Sequence, residues 1–398
     1  MEYRFSNHVQ RLQSSAVRDI LKLTQGKEII SFAGGLPAEE LFPLDAIRDA
    51  ANRVFQTGKN SLQYGLTEGY LPLREQLCVR MAQKDMHVSP DEMIITTGSQ
   101  QAIDLVSRVL MNPGDVVLVE NPTYLASLQV FGLSGLNVVP VESDKDGMII
   151  EEAERLMKQH KPKMVYVVPT FGNPTGRVWS LERRKGLVEL CRRYGVLVLE
   201  DDPYGEIKFD PNATYPTLFS LDGKAGGGHV IYTSTFSKTV APALRTGWAI
   251  GPRQVIGNMA KAKQAADLHS STLDQQTLDQ LLRHFPLDDH IRTISQAYGE
   301  RLQQMQTLLT QQSLKDVKWV EPKGGMFLWL ELPEGLDSEA LLRAAVRKNV
   351  AFVPGASFYA ADPQRNKARL NFTYTTGERM AAGITRFAEA LNEFLARC

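Results

Sequence analysis

Cysteine is scarce: Cys78, Cys191 and Cys398 are the only three in 398 residues, widely spaced and without a CxxC pair. That excludes a disulfide framework and a structural zinc site of the usual spacing, so reduced thiols in a cytoplasmic protein are expected. No apolar run is long enough to cross a bilayer, and the polar start MEYRFSNHVQRLQSSAVRD lacks a secretory apolar segment. Neither sign of charge is in excess, with 45 Lys and Arg against 45 Asp and Glu. Nucleic acid and anionic membrane are therefore not expected as main partners. There is no strand-following GxGxxG, no GxxxxGKS or GxxxxGKT, and no HExxH. The common nicotinamide, nucleotide and zinc motifs are thus missing.

What is present is a β/α alternation in a chain too long for one simple core. Short apolar runs at Met93–Thr97, Val116–Glu120, Val138–Val141, Lys163–Pro169, Val196–Glu200, Val230–Thr233 and Gly247–Ile250 read as buried strands. Helices are expected at Asp45–Phe55, Ser99–Met111, Thr123–Leu133 and Leu181–Tyr194, the last capped by Ser180. This pattern predicts an α/β fold with a mainly parallel sheet covered on both faces. A helical stretch over 254–313 breaks near Phe285–Pro286. Strands at Met326–Leu332, Ala351–Val353 and Arg369–Thr373 then mix with helices at Ser338–Lys348 and Glu378–Arg397. The expected division is an arm over 1–30 with a short helix at Ala16–Leu23, a large domain over 45–290, and a smaller α+β domain from 31–44 and 291–398.

Ligands in open α/β sheets sit beyond the carboxyl ends of the strands, and several informative polar groups fall there. In TSTFSKTVAPALRTG, Lys238 stands among Thr235, Ser237 and Arg245. An amine there can form a Schiff base while hydroxyls and a guanidinium hold a phosphate. TTGSQQA places Gly98 and Ser99 where a strand turns into a helix, and the first helical amides make a phosphate seat. Tyr124 follows a strand end and can stack on a flat ring. Asn173, in FGNPTG, can donate to a ring oxygen. Glu200, Asp201 and Asp202 close the run VLVL. A carboxylate at the end of a buried strand calls for a cation, which a protonated pyridine nitrogen would be. Tyr204 can donate to the phenolic oxygen of the same ring. Arg369, in RLNFTY, is a natural reader of a substrate carboxylate. Singly, each has a bland explanation: a capped helix, a core tyrosine, an Asn-Pro turn, a surface ion pair. Together and in this order they match the needs of pyridoxal 5'-phosphate.

The motifs SFAGGLP, YGxxxGxxxLRE from Tyr64, TxGSQQA, NPTG, EDDPY, the Lys238 run and RLNF span Ser31 to Phe372. In them the chain resembles the fold type I pyridoxal-phosphate enzymes of the aspartate aminotransferase superfamily, most closely the 2-aminoadipate and kynurenine-type group. The resemblance implies a seven-stranded-type sheet and a homodimer with sites at its interface. It makes Lys238 the Schiff-base lysine, Asp201 the partner of the ring nitrogen, and Asn173 and Tyr204 the partners of the ring oxygen. Tyr124 would stack on the ring. Gly98, Ser99, Gln100, Ser237 and Arg245 would hold the phosphate, and Tyr64 would reach the phosphate of the partner subunit. Thr235 stands where many relatives have serine and keeps the hydroxyl. Arg369 would bind the α-carboxylate, and Gly34–Gly35 would line the substrate pocket. Arg18 occupies the position that reads a distal carboxylate in this group. Cis bonds are implied at Asn121–Pro122 and Asn173–Pro174.

The activity so implied is a ping-pong transamination between an L-amino acid and 2-oxoglutarate. The donor would be 2-aminoadipate-like, with aromatic or branched-chain substrates as further options. The alternatives are a lyase or decarboxylase on the same fold, an aminotransferase-like regulator and a non-catalytic binding protein. SFAGGLP begins at Ser31, where a regulator would need a DNA-binding domain in front, and Lys238, Asp201 and Arg369 are all present.

Overall fold

The structure, a computed structural model, describes residues 1, 3–10, 12, 20, 28–223 and 228–396. Arg18 and nearly all of the expected helix at Ala16–Leu23 lie outside the described residues. The strands are β1 (Ile30–Ser31), β2 (Met93–Thr96), β3 (Val116–Asn121), β4 (Asn137–Asp144), β5 (Gly147–Met148), β6 (Met164–Val167), β7 (Leu197–Asp201), β8 (Val230–Thr235), β9 (Gly247–Ile250), β10 (Lys318–Trp319), β11 (Phe327–Glu331), β12 (Val350–Ala351), β13 (Val353–Pro354) and β14 (Lys367–Asn371).

Eight strands form the large sheet in the order β2-β9-β8-β7-β6-β3-β4-β5. The pairs β8·β7, β7·β6, β6·β3 and β3·β4 are parallel, while β9 runs antiparallel to both neighbours. The two-residue β5 folds back on β4 and extends the expected seven strands to eight.

Alternation along the strands sorts their side chains onto two faces. Ile95, Leu118, Val165, Val198 and Tyr232 join one core layer, with Leu187 and Leu190 of the helix Leu181–Tyr194. Ile94, Val117, Tyr166, Leu199 and Ile231 join the other, with Ala102 and Val106 of the helix Gly98–Leu110 and Met259 of Arg253–Asp267. With both faces covered, the parallel strands are apolar at nearly every position, which is why they stand out in the sequence.

A second sheet, β10-β11-β14-β13, has its own core of Met326, Leu328, Leu370, Ile384, Phe387 and Leu391. The helix Leu287–Gln311 runs from one core to the other: Leu287 and Ile291 pack with the large sheet, Ile294 to Leu309 with the small one. The short parallel pair β1·β12 brings the Gly/Pro-rich loop after Ser31 against the small sheet.

Several stretches differ from the sequence reading, among them the helix Leu218–Asp222 and the following two. The long helical stretch has an additional break at 268–271, where Leu268 takes φ +66° and Ser271 caps a new helix, Thr272–His284, by accepting from Asp274 N. The segment Ile150–His160 is a helix that the sequence reading does not supply. Only Ala153, Leu156 and Met157 of it are buried, so its apolar signal is thin. Among the described residues no helix is long and apolar enough to cross a membrane.

Candidate active site

Strand parity decides which of three consecutive acids faces the expected site. Along β7, Val198 and Glu200 face one layer and Leu199 and Asp201 the other. Glu200 is spent on its own side, accepting from Leu218 N (2.8 Å) and Phe219 N (2.9 Å). Asp202 is spent too, accepting from the Tyr232 hydroxyl (2.9 Å) and Gly205 N (3.0 Å). Asp201 accepts from the Tyr166 hydroxyl at Oδ2 (2.9 Å), while its other oxygen, Oδ1, is buried without a partner among the described residues. Burial pushes Asp201 up to about 7; the Tyr166 hydrogen bond opposes that shift and Asp202 adds to it. A cation beside Oδ1 would relieve the cost.

Lys238 lies in the turn that follows β8. Its Nζ donates to Gly35 O (3.0 Å) and has no carboxylate partner among the described residues. Desolvation, then Arg369 and Arg245, bring its amine down to about 8. An amine poised near neutrality is what a nucleophilic lysine needs.

Gly98 opens the helix Gly98–Leu110 at φ +73°; Gln101 Oε1 accepts from Thr97 N (2.8 Å), but among the described residues no side chain takes the amides of Gly98, Ser99 or Gln100. Its first amides are therefore free for a ligand. A Cβ on Gly98 would come 2.5 Å from Arg245 Nη2, so glycine is what lets the guanidinium lie over the turn. Arg245 donates through Nη1 to Ser237 Oγ (3.2 Å) and through Nη2 to Thr97 O (3.4 Å). Ser99 and Gln100 follow in the same first turn. Thr235 spends its proton on Thr246 O (3.0 Å) and accepts from Ser237 N (3.2 Å), so it also buttresses this turn.

Arg369, on β14, is 2% exposed. It donates to Asn173 Oδ1 (2.7 Å) and Ala33 O (2.6 Å), and its guanidinium carbon lies 4.3 Å from the Phe327 ring centroid and 5.1 Å from that of Phe358. Among the described residues its Nε has no partner and no carboxylate pairs with the guanidinium. Burial brings this guanidinium down to about 10. A buried cation that meets only neutral acceptors is a ready seat for an anion. Tyr204 sits edge-on to Phe327 at 5.8 Å, with the Asn173 amide against its phenol. Tyr124 feels Asp201, Arg369 and Arg245 together, and its phenol is pushed up to about 12, chiefly by desolvation. The bonds Asn121–Pro122 and Asn173–Pro174 are both cis.

Residues 27–387 match the family described as aminotransferase class I and II. The chain belongs to that family. The aminotransferase is 40% identical over 393 residues to the 2-aminoadipate transaminase of Thermus thermophilus, covering 98% of this chain and 97% of that one. It is 39% identical over 399 residues to aromatic-amino-acid aminotransferase 1 of Thermococcus litoralis, covering 98% and 95%. A solved structure of the α-aminoadipate aminotransferase of Thermus thermophilus, complexed with N-(5'-phosphopyridoxyl)-L-leucine, matches with a TM-score of 0.92. That match is at 39% identity and covers 99% of this chain and 98% of that one.

Within the aminotransferase, Lys238, Asp201, Asn173, Tyr204, Tyr124, Gly35 and Arg369 are joined by these hydrogen bonds and mutual electrostatic effects. Tyr64 is not joined to them: it is 78% exposed, and its contacts are to Gln63 and, edge-on at 5.7 Å, to His269. Sequence reasoning missed Tyr166 and the Ala33 carbonyl, and it named Gly35 only as lining of the substrate pocket. A tyrosine inside the otherwise apolar run MVYVV was the one available signal for the first. Backbone carbonyls leave none.

Proposed function

We propose that the enzyme transfers the amino group of an L-amino acid, foremost 2-aminoadipate, to 2-oxoglutarate in two half-reactions, with pyridoxal 5'-phosphate as cofactor. The observation that carries the reading is Asp201, whose buried Oδ1 has no partner among the described residues, while Arg369 and Arg245 act on both Lys238 and the Tyr124 that feels Asp201. The residues fit the cofactor in kind. Asp201 Oδ1 would accept the ring N–H. The amides of the Gly98–Gln100 turn, with Ser237 and Arg245, would take the phosphate, with Thr235 supporting them. Asn173 and Tyr204 would meet the ring oxygen and Tyr124 the ring face. The bound cofactor would supply an electrophilic carbonyl carbon and a protonated ring that takes up electrons from the substrate Cα.

Lys238, brought down to about 8, offers an unprotonated amine near neutral pH. That amine would hold the cofactor and, once displaced by the substrate amine, take the Cα proton at Nζ. Arg369 would bind the α-carboxylate through both Nη atoms, replacing its bonds to Ala33 O and Asn173 Oδ1. Phe327 and Phe358 keep water off that guanidinium and so strengthen the pairing.

The site residues group with residues 45–290 as a large domain and with 31–44 and 291–398 as a small one. A homodimer is part of the reading, with Tyr64 serving the partner's site. It draws on the exposed apolar side chains Leu44, Phe55, Leu62, Tyr64, Leu66, Leu71 and Val79. Arg18 is assigned to the distal carboxylate of 2-aminoadipate.

The test is a panel of L-amino acids with 2-oxoglutarate, glutamate and the new 2-oxo acid being identified by mass spectrometry. The expected result is turnover of 2-aminoadipate that Arg18→Ala weakens far more than turnover of leucine or phenylalanine. Failure to form glutamate from any donor would overturn the proposal.

A further inference from the structure

Tyr166 belongs to none of the sequence motifs, yet it is the only side chain among the described residues that donates a hydrogen bond to Asp201. It sits on β6, directly opposite Leu199 of β7, and Asp201 lies two residues beyond Leu199. All three share one face of the sheet, and an aromatic side chain reaches the diagonal neighbour on an adjacent strand. Tyr166 is fully buried, and its ring is fixed edge-on by Phe131 at 5.5 Å.

A phenol has one proton to give. The Ser127 hydroxyl lies against the same phenol with its own proton on Tyr124 O (2.6 Å), and the carboxylate, the stronger acceptor, takes the Tyr166 proton. Burial and the neighbouring Asp201 hold the Tyr166 phenol protonated well above its ordinary range. The groups facing Asp201 are Tyr166 from β6, Tyr124 from the segment after β3, and Asp202 and Tyr204 from the segment after β7. None is a cation. Tyr166 alone favours the charged carboxylate.

We propose that Tyr166 is a positioning residue: its hydroxyl fixes Oδ2 of Asp201 and so leaves Oδ1 free to accept the ring N–H of bound pyridoxal phosphate. The proposal rests on the cofactor reading above. Without the hydroxyl, the buried carboxylate loses its one donor, turns freely and keeps its proton to higher pH.

Apo-enzyme is titrated with pyridoxal phosphate across neutral pH, for wild type and Tyr166→Phe, with binding followed by tryptophan fluorescence. The control is the 1-deaza analogue, which has no ring nitrogen. The variant is expected to bind pyridoxal phosphate roughly ten- to a hundredfold more weakly, the loss expected for a hydrogen bond to a charged group. As the pH is lowered, its affinity should also fall away at a higher pH than that of wild type, while the analogue binds both proteins alike. Equal affinity and an equal pH profile in the two proteins would overturn the proposal, as would an equal loss for the analogue. Failure of wild type itself to bind pyridoxal phosphate would instead overturn the reading beneath it.

Discussion

Arg369 Nη1 lies 2.7 Å from Asn173 Oδ1, which fastens β14 of the small sheet to the loop that follows β6 of the large one. The same guanidinium reaches Ala33 O, so three distant chain segments meet at one buried cation. Arg369 is therefore both the proposed carboxylate seat and a rivet between the two sheets.

Arg369→Lys should keep the charge and lose the planar fork. The loss expected is about 1.5–3 kcal/mol in kcat/KM for the amino acid, the range for one hydrogen bond to a charged group. Steady-state kinetics measure it, and pyridoxal phosphate affinity serves as the control that should stay near wild type. An unchanged kcat/KM would remove Arg369 from the substrate site.

Gly98→Ala puts a Cβ within 2.5 Å of Arg245 Nη2 at a φ of +73°. The atom it meets is the end of a flexible side chain, so the fold should survive at a cost of roughly 1–2 kcal/mol for the left-handed backbone. The guanidinium should swing off the turn. Titration of the apo-enzyme should show a larger loss of affinity for pyridoxal phosphate than for pyridoxal, which lacks the phosphate.

Lys238 sets a pH dependence of known sign. Its amine is brought down from 10.5 to about 8, so the reactive neutral form gains as pH rises through about 8 and then levels off. The rate at which apo-enzyme takes up pyridoxal phosphate should follow that curve. Lys238→Ala should hold the cofactor without a covalent bond and lose turnover. An inflection near 10.5 would contradict the desolvated site.

Glu120 is buried on β3 and accepts from Trp179 Nε1 at 3.0 Å. Burial raises its carboxyl from 4.5 to about 7, although Arg177 and the Trp179 bond oppose the shift. The folded protein thus keeps a proton that the unfolded chain has released, and relative stability falls as pH rises from about 4.5 to 7. Against Glu120→Gln, wild type should lose about 3 kcal/mol across that window. Denaturant unfolding of the two apo-proteins at each pH measures it; a constant difference would refute the shift.

The strands were legible because both faces of the large sheet are covered: MIIT, VVLVEN and VIYTST are apolar or small at nearly every position. Lys238, Asn173 and Arg369 were legible because each stands in a run with its own turn chemistry. The choice among Glu200, Asp201 and Asp202 could not be made from composition, since all three are acids at one strand end. It follows from which face each side chain takes. Tyr166 was hidden for the opposite reason: tyrosine is common in buried strands, and only its register against Leu199 brings it to Asp201. The break at Leu268 was hidden because nothing in ADLHSS demands a left-handed leucine.

The most direct measurement is the visible absorbance of the purified enzyme before and after 2-aminoadipate is added. The account predicts a yellow band, present as purified or after soaking in pyridoxal phosphate, that is lost on addition as 2-oxoadipate appears in solution. A protein that shows no band even after soaking would contradict it.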